Sequence, residues 1–176
     1  DGLILSSSHL RQGSGSFTSL VAADSVASIE FSNLTTSAPE DFIRRRSELE
    51  AAMAAAPEGR RQGPRLDLAR FYLAHVFPHE SLGLMELALE EEPALAQDPM
   101  FNLMMGAAQT LAGRPREALP HLSRHDLKNN PDAAVWQTIV EVALGQWAPA
   151  RAALARGRSV IGNYPVNIQA EFNLAA

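Results

Sequence analysis

The sequence contains no cysteine, which excludes disulfide bonds and thiolate metal sites. It also lacks any apolar run close to the roughly 18 residues that a membrane-spanning helix needs. Basic residues are too few to balance the acidic ones, and the formal net charge is -5. Nucleic-acid-binding domains usually carry a basic surplus, so we do not expect a nucleic-acid partner. With 176 residues, 46% of them apolar, the chain has the size and composition of one globular domain or a short repeat array.

Motifs that carry catalysis or bind cofactors are also missing. The stretch Gln12-Gly13-Ser14-Gly15-Ser16 has neither the lysine nor the following helix of a phosphate-binding loop. His121 and His125 have a spacing that zinc sites use, but Asp126 is the only further candidate ligand nearby. We therefore predict a protein that is not an enzyme and has no catalytic, cofactor or metal site.

The first 38 residues differ in composition from the rest, being rich in serine and glycine. Between Val26 and Phe31 the side chains alternate with a period of two, which predicts a half-buried strand. We expect residues 1–38 to form a small β hairpin or meander, either packed on the helices or left from an upstream β domain. Because the chain begins without methionine and ends within a helical pattern, we expect it to be a piece of a longer protein.

A helix is predicted from about 39 to 56. Pro39 suits a first helical turn, and two acidic residues follow it at the positive end of the helix dipole. The three arginines at 44–46 could grip a phosphate group or an acidic partner. Acidic residues one turn further along the helix favour a second interpretation, in which the arginines are a solvated face with local ion pairs.

From about residue 62 to residue 163 the sequence repeats a helix–turn–helix pattern. Near its middle, Gly106 and Gly113 stand seven residues apart and Ala118 follows five later. Gly113 would end a first helix in the left-handed conformation. Gly106 would lie where the first helix and the second come closest, and Ala118 would be the small contact on the second.

The preceding unit fills the same pattern more completely. Counted from Ala69, the pattern places an aromatic, a small, a large apolar, an alanine and a proline residue 3, 12, 16, 19 and 24 positions later. These places hold Tyr72, Ser81, Met85, Ala88 and Pro93. Val76 stands where the turn glycine is expected, and we expect Pro78 to end the first helix instead.

The later units match less well. Gly145 and Ala150 fit a third unit, whereas Gln137, Thr138 and Glu141 occupy places that are usually apolar or small. We expect its first helix at about 131 to 144.

The second unit breaks down at His125-Asp126, which predicts a short second helix, and a long connection precedes this unit. We expect an irregular stack at both places. Tyr164-Pro165 opens a further helix that continues to Ala176.

These spacings resemble the tetratricopeptide (TPR) repeat family, whose period is about 34 residues. The resemblance implies a mainly α fold, in which residues 39–176 form helical hairpins stacked in a right-handed α-α superhelix after the β segment 1–38. It also implies a concave groove, lined by the first helices, that binds a protein or peptide segment. Carried over one residue at a time, the groove positions are Leu66, Arg70, Leu73, Ala74, Met100, Leu103, Ala107, Thr110 and Leu111.

This groove is mostly apolar and lacks the basic residues that grip a carboxylate, and the sequence leaves two functions open. The chain is either a non-enzymatic scaffold that binds a partner segment in an open groove, or a structural spacer or oligomerisation module whose groove is filled by its own chain. Its alanine- and arginine-rich composition resembles large repeat proteins of bacterial envelopes, which implies the periplasm or cell envelope.

Overall fold

The structure, a computed structural model, describes residues 27–31, 34–36 and 38–175, and within them every regular element is helical. Short 3-10 turns join some of the helices, at Glu58–Arg60, Pro93–Gln97, His125–Leu127 and Arg158–Asn163. The α-helices are α1 Pro39–Ala55, α2 Gln62–Ala74, α3 Pro78–Glu91, α4 Pro99–Leu111, α5 Pro115–Leu122, α6 Pro131–Ala143, α7 Trp147–Gly157 and α8 Val166–Ala175. The chain is therefore mainly α, as the sequence predicts.

Three helical hairpins form the body of the fold. Helix α2 packs on α3, α4 on α5 and α6 on α7, and three residues join each pair. The first helices also contact one another, α2 with α4 and α4 with α6, while α1 covers α2 and α8 packs on α6. Most buried apolar side chains of the hairpins belong to one core cluster.

The three hairpin turns share one geometry. In each, the N–H of the residue directly before the second helix donates to the carbonyl five residues earlier. These bonds are Phe77 N–H to Tyr72 O, Arg114 N–H to Gln109 O and Gln146 N–H to Glu141 O. The residue before each of these donors is left-handed, with φ of 60° at Val76 and 71° at Gly113 and Gly145. This is the Schellman arrangement, which satisfies carbonyls at a helix end.

The turn at Val76 differs from the one that the sequence predicts. We expected Pro78 to replace the glycine turn, but Pro78 begins α3 and Val76 itself takes the left-handed conformation. A β-branched residue in that region is strained. The side chain of Val76 is half-buried against the core cluster, and this packing offsets part of the strain.

Small residues lie at two helix crossings. A Cβ atom on Gly106 would come within 2.5 Å of Leu122 Cγ, so α4 and α5 pack closely at this point. A Cβ atom on Gly157 would come within 2.6 Å of the Val135 backbone nitrogen, and this second crossing, of α7 with α6, was not predicted. A side chain at Gly106 would displace the Leu122 side chain, and one at Gly157 would meet backbone atoms of α6.

The short helix α5 ends at Leu122, as the broken pattern at His125-Asp126 predicts. Gln137 of α6 donates from Nε2 to the Leu122 carbonyl at 2.7 Å, and Arg156 donates from Nη2 to Gln137 Oε1 at 3.0 Å. Gln137, a polar residue in a place that is usually apolar, therefore gives the carbonyl at the end of the neighbouring hairpin a hydrogen-bond donor.

The predicted β hairpin or meander lies mostly in residues 1–26, outside the described residues. Residues 27–31 form no strand. Ile29 and Phe31 are nevertheless buried while Ser28 and Glu30 are exposed, so the alternation of the sequence corresponds to an alternation of burial.

Candidate interaction site

Most of the predicted groove residues are inside the protein. Leu73, Ala74, Leu103 and Ala107 have at most 1% of their surface exposed, and Leu66 has 8%. These five belong to the main core cluster, and the half-buried Met100 and Leu111 pack against it. The structure therefore brings seven of the nine residues together, five of them buried.

The two polar groove residues are engaged within their own helices. Arg70 Nη1 lies 3.3 Å from Asp67 Oδ1, and the Thr110 hydroxyl donates to the Gly106 carbonyl at 2.7 Å. Neither side chain makes a hydrogen bond to another element among the described residues.

Two other parts of the chain share this cluster. One is the stretch of residues 27–31 and 34–36, hereafter the N-terminal segment, which contributes Ile29 and Phe31. The other is α8, which contributes Ile168 and Phe172 and whose Asn167 amide makes a long 3.5 Å contact with the Ala74 carbonyl. The cluster thus joins both ends of the described chain to the first helices.

Aromatic rings connect these parts around Tyr164, which lies two residues before α8 begins. The centroid of the Tyr164 ring is 5.3 Å from that of Phe31 and 5.0 Å from that of Phe172. The Trp136 ring on α6 packs edge-on against Phe172 at 4.9 Å. Edge-on and tilted ring pairs at these distances are favourable beyond their burial alone.

A buried hydrogen-bond chain fixes the Tyr164 ring. The hydroxyl donates to Asp132 Oδ1 at 2.5 Å and accepts from Trp136 Nε1 at 3.2 Å. Burial raises the pKa of the Asp132 carboxyl, although the hydrogen bond from Tyr164 acts in the opposite direction. Burial, together with the neighbouring Asp132 carboxylate, raises the pKa of the Tyr164 hydroxyl well above its usual value, so it remains a donor at ordinary pH.

Side chains of the helical body hold the N-terminal segment at each end. Asn130 donates from Nδ2 to the Ala27 carbonyl. At the other end, His75 Nδ1 faces the Phe71 carbonyl at 2.9 Å and must carry its proton there. The free Nε2 then accepts from the Thr36 hydroxyl at 3.0 Å and from the Thr36 N–H at 3.3 Å.

A second polar cluster lies where the two predicted irregularities of the stack meet. The Ala96 carbonyl, in the long connection before α4, accepts from Asn102 Nδ2 at 3.0 Å and from Arg124 Nη1 at 3.1 Å. Arg124 also pairs with Asp126 through two hydrogen bonds, which hold the pKa of that carboxyl below its usual value. The break at His125-Asp126 thus helps to anchor the connection between two hairpins.

His121 completes this cluster. Two carbonyls orient the Asn102 amide, so its Oδ1 faces the His121 Nδ1 at 2.8 Å and accepts a hydrogen bond from the Nδ1–H. Burial, and to a smaller extent the charge of Arg124, lowers the pKa of His121. Within the described part of the chain, no three histidine or acidic side chains converge on a point where a metal could bind.

The three adjacent arginines of α1 behave as the second interpretation predicts. Arg44 pairs with Asp41 at 2.6 Å, Arg45 with Glu48 at 3.0 Å and Arg46 with Glu50 at 3.5 Å. Their side chains remain 40–68% exposed, and exposed pairs of this kind contribute little to stability.

None of the described helices is long and apolar enough to cross a membrane.

Compared with protein families, curated proteins and solved structures, the chain matches none of them. Sequence reasoning missed the roles of Asn130, Tyr164 and His75 in holding the N-terminal segment. Only the alternation at Ile29 and Phe31 signalled that this segment is bound, and that pattern does not reveal what it is bound to.

Proposed function

We propose that this chain is a non-enzymatic assembly scaffold of TPR-like hairpins, stacked as a right-handed superhelix, whose groove is filled by its own chain. In this role it is a structural spacer or an oligomerisation module. One observation carries the proposal: Leu73 and Leu103 of the predicted groove lie in the same buried cluster as Phe31 of the N-terminal segment and Phe172 of α8. A partner would reach this face only after the segment or α8 had left it.

The chemistry of the described residues supports an assembly role over catalysis. The buried carboxyl of Asp132 is bonded to Tyr164, and the half-buried His121 is bonded to Asn102. Both groups are therefore committed to structural hydrogen bonds. A general acid or base needs a proton-transfer partner within reach. The cavity between residues 34–36 and the start of α1 is lined by neither group.

Binding of a hydrophobic dye tests whether the groove is closed. We expect the native chain to leave the fluorescence of such a dye unchanged, and a Phe31→Ala variant to raise it because the cluster is opened. Ile43→Ala is the matched control, since Ile43 is apolar but already 55% exposed. Saturable dye binding by the unaltered chain would show an open apolar groove and would overturn the proposal.

Light scattering then separates the two forms of the proposal. A monomer at all concentrations supports a spacer, and a defined oligomer that resists dilution supports an oligomerisation module.

A further inference from the structure

The N-terminal segment contacts the helical body as a bound peptide does. It belongs to neither a helix nor a strand. The Leu34 N–H donates to the Phe31 carbonyl, a bond within the segment. The described hydrogen bonds from its backbone to the body are made by side chains, the amide of Asn130 and the ring of His75. An extended bound peptide likewise combines hydrogen bonds to its main chain with pockets for its alternate side chains.

Two anchor residues give the segment its apolar contacts. Ile29 and Phe31 are 4% and 2% exposed, and Glu30 between them faces solvent. Alternate side chains of an extended chain point to opposite sides, so a spacing of two puts both anchors on the body. The segment therefore presents a β-branched residue and an aromatic residue, separated by one polar residue.

The surface under the segment is held in place by bonds that do not involve the segment. Asn130 Oδ1 caps α6 by accepting from the Ala133 N–H at 2.9 Å. Tyr164 is fixed by Asp132 and Trp136, and His75 by the Phe71 carbonyl. These three side chains come from the end of α2, the start of α6 and the approach to α8. A site whose side chains are already oriented binds a ligand at a lower cost in entropy.

We propose that this surface is a peptide-binding site and that the N-terminal segment is its displaceable internal occupant. The partner is an extended segment of another protein with a large apolar residue and an aromatic residue two positions apart. This inference rests on the proposed function, because it requires a groove closed by the chain itself. It adds that the closure is reversible and that a partner competes with it.

Cleaving the tether tests the inference. A recognition sequence for a site-specific protease is inserted after Thr36, and the purified full chain is cut. A labelled synthetic peptide with the sequence of residues 27–36 is then added to the cut and to the uncut chain. A short tether holds its segment at a local concentration on the order of millimolar. We therefore expect the cut chain, at low micromolar concentration, to bind the peptide at least about tenfold more tightly than the uncut chain.

Matched peptides test the anchors. A peptide with Ile29→Ala and Phe31→Ala should fail to bind, while one with Glu30→Gln should bind as well as the parent. Equal binding of the double-alanine peptide, or no binding of the parent peptide to the cut chain, would overturn the inference. Loss of helical circular dichroism on cutting and dilution would also overturn it, because the segment would then be a required part of the core.

Two further outcomes of these experiments would overturn different claims. A stable dimer of the uncut chain, lost on Phe31→Ala, would mean that a second copy supplies the occupant and would overturn the assignment to another protein. Dye binding by the uncut chain would instead overturn the proposed function, so the two failures can be told apart.

Discussion

At the scale of single residues, two glycines set how closely the hairpin helices approach. The obstacle at Gly106 is the side chain of Leu122, whereas the obstacles at Gly157 include the Val135 nitrogen and the Pro131 carbonyl. A side chain can rotate away, but backbone atoms of a helix move only with the helix. We therefore expect Gly106→Ala to lower the free energy of unfolding by roughly 1–3 kcal/mol, and Gly157→Ala to lower it further.

Urea denaturation measures both changes, and Gly83→Ala is the control. Gly83 is exposed on α3, and a Cβ atom there meets nothing within 4 Å. Replacing glycine by alanine inside an open helix should stabilise the protein by roughly 0.5–1 kcal/mol. If Gly106→Ala stabilised the protein as much as Gly83→Ala does, the close crossing of α4 and α5 would be refuted.

The turn residues give a second prediction. Gly113 has a φ of 71°, and a Cβ atom there meets nothing within 4 Å. Any cost of a substitution at this site therefore comes from the backbone conformation. We expect Gly113→Val to lower the free energy of unfolding by about 1–2 kcal/mol, and Gly113→Asn to cost less because asparagine tolerates this region.

Thermal or urea unfolding of the two variants makes the comparison. Equal costs for valine and asparagine would contradict the left-handed turn. Val76, which already bears this conformation, shows that the fold tolerates one such strained turn when the side chain packs on the core.

At the scale of elements, the sequence predicts helix positions well. Predicted ranges for α1 and α6 agree with the structure within about one residue at each end. A proline lies at the first position of five helices, where it has no hydrogen bond to lose, so it marks helix starts clearly. Such signals are local and can therefore be read from one stretch of chain.

Signals that depend on another element could not be read in this way. Gln137 appears misplaced until Leu122 of the neighbouring hairpin is seen to need a donor. Val76 appears unsuited to a left-handed turn until its packing is known. The predicted groove residues are a similar case, because their positions follow from the repeat pattern but their covering comes from residues far away in the sequence.

Gln137 also yields a prediction for α5. Gln137→Leu keeps the size of the side chain but leaves the Leu122 carbonyl and an Arg156 nitrogen without their partner. We expect the free energy of unfolding to fall by roughly 1–3 kcal/mol. Thr138→Val is the control, since its hydroxyl bonds only to Ala134 O within its own helix. A loss at Thr138→Val as large as that at Gln137→Leu would contradict the bond between the hairpins.

At the scale of the whole molecule, Asp132 connects α6 to the approach to α8 through Tyr164. The raised pKa of the Asp132 carboxyl means that the folded chain holds the carboxyl proton more tightly than the unfolded chain does. Its contribution to stability is therefore largest below the unfolded pKa of about 4 and is lost as the pH rises through the folded value. We expect the Asp132→Asn variant to gain stability relative to the native chain as the pH rises from about 4 to neutrality.

Urea denaturation of both proteins across this range checks the prediction. Asparagine still offers an oxygen to the Tyr164 hydroxyl, so the hydrogen-bond chain is kept while the charge is removed. A stability difference that is constant with pH, or that moves against the variant as the pH rises, would contradict an Asp132 carboxyl whose pKa is raised by burial.

We propose above all that the chain closes its own groove with the N-terminal segment. The most direct measurement is the nuclear Overhauser effect between ring protons of Phe31 and Tyr164 in the native chain, with the Phe31 signals assigned by their loss in a Phe31→Leu variant. A centroid distance of 5.3 Å predicts clear cross-peaks, with the Phe31 signals shifted by the neighbouring rings. Phe31 signals at the positions of an unfolded peptide, without cross-peaks to Tyr164, would contradict the claim.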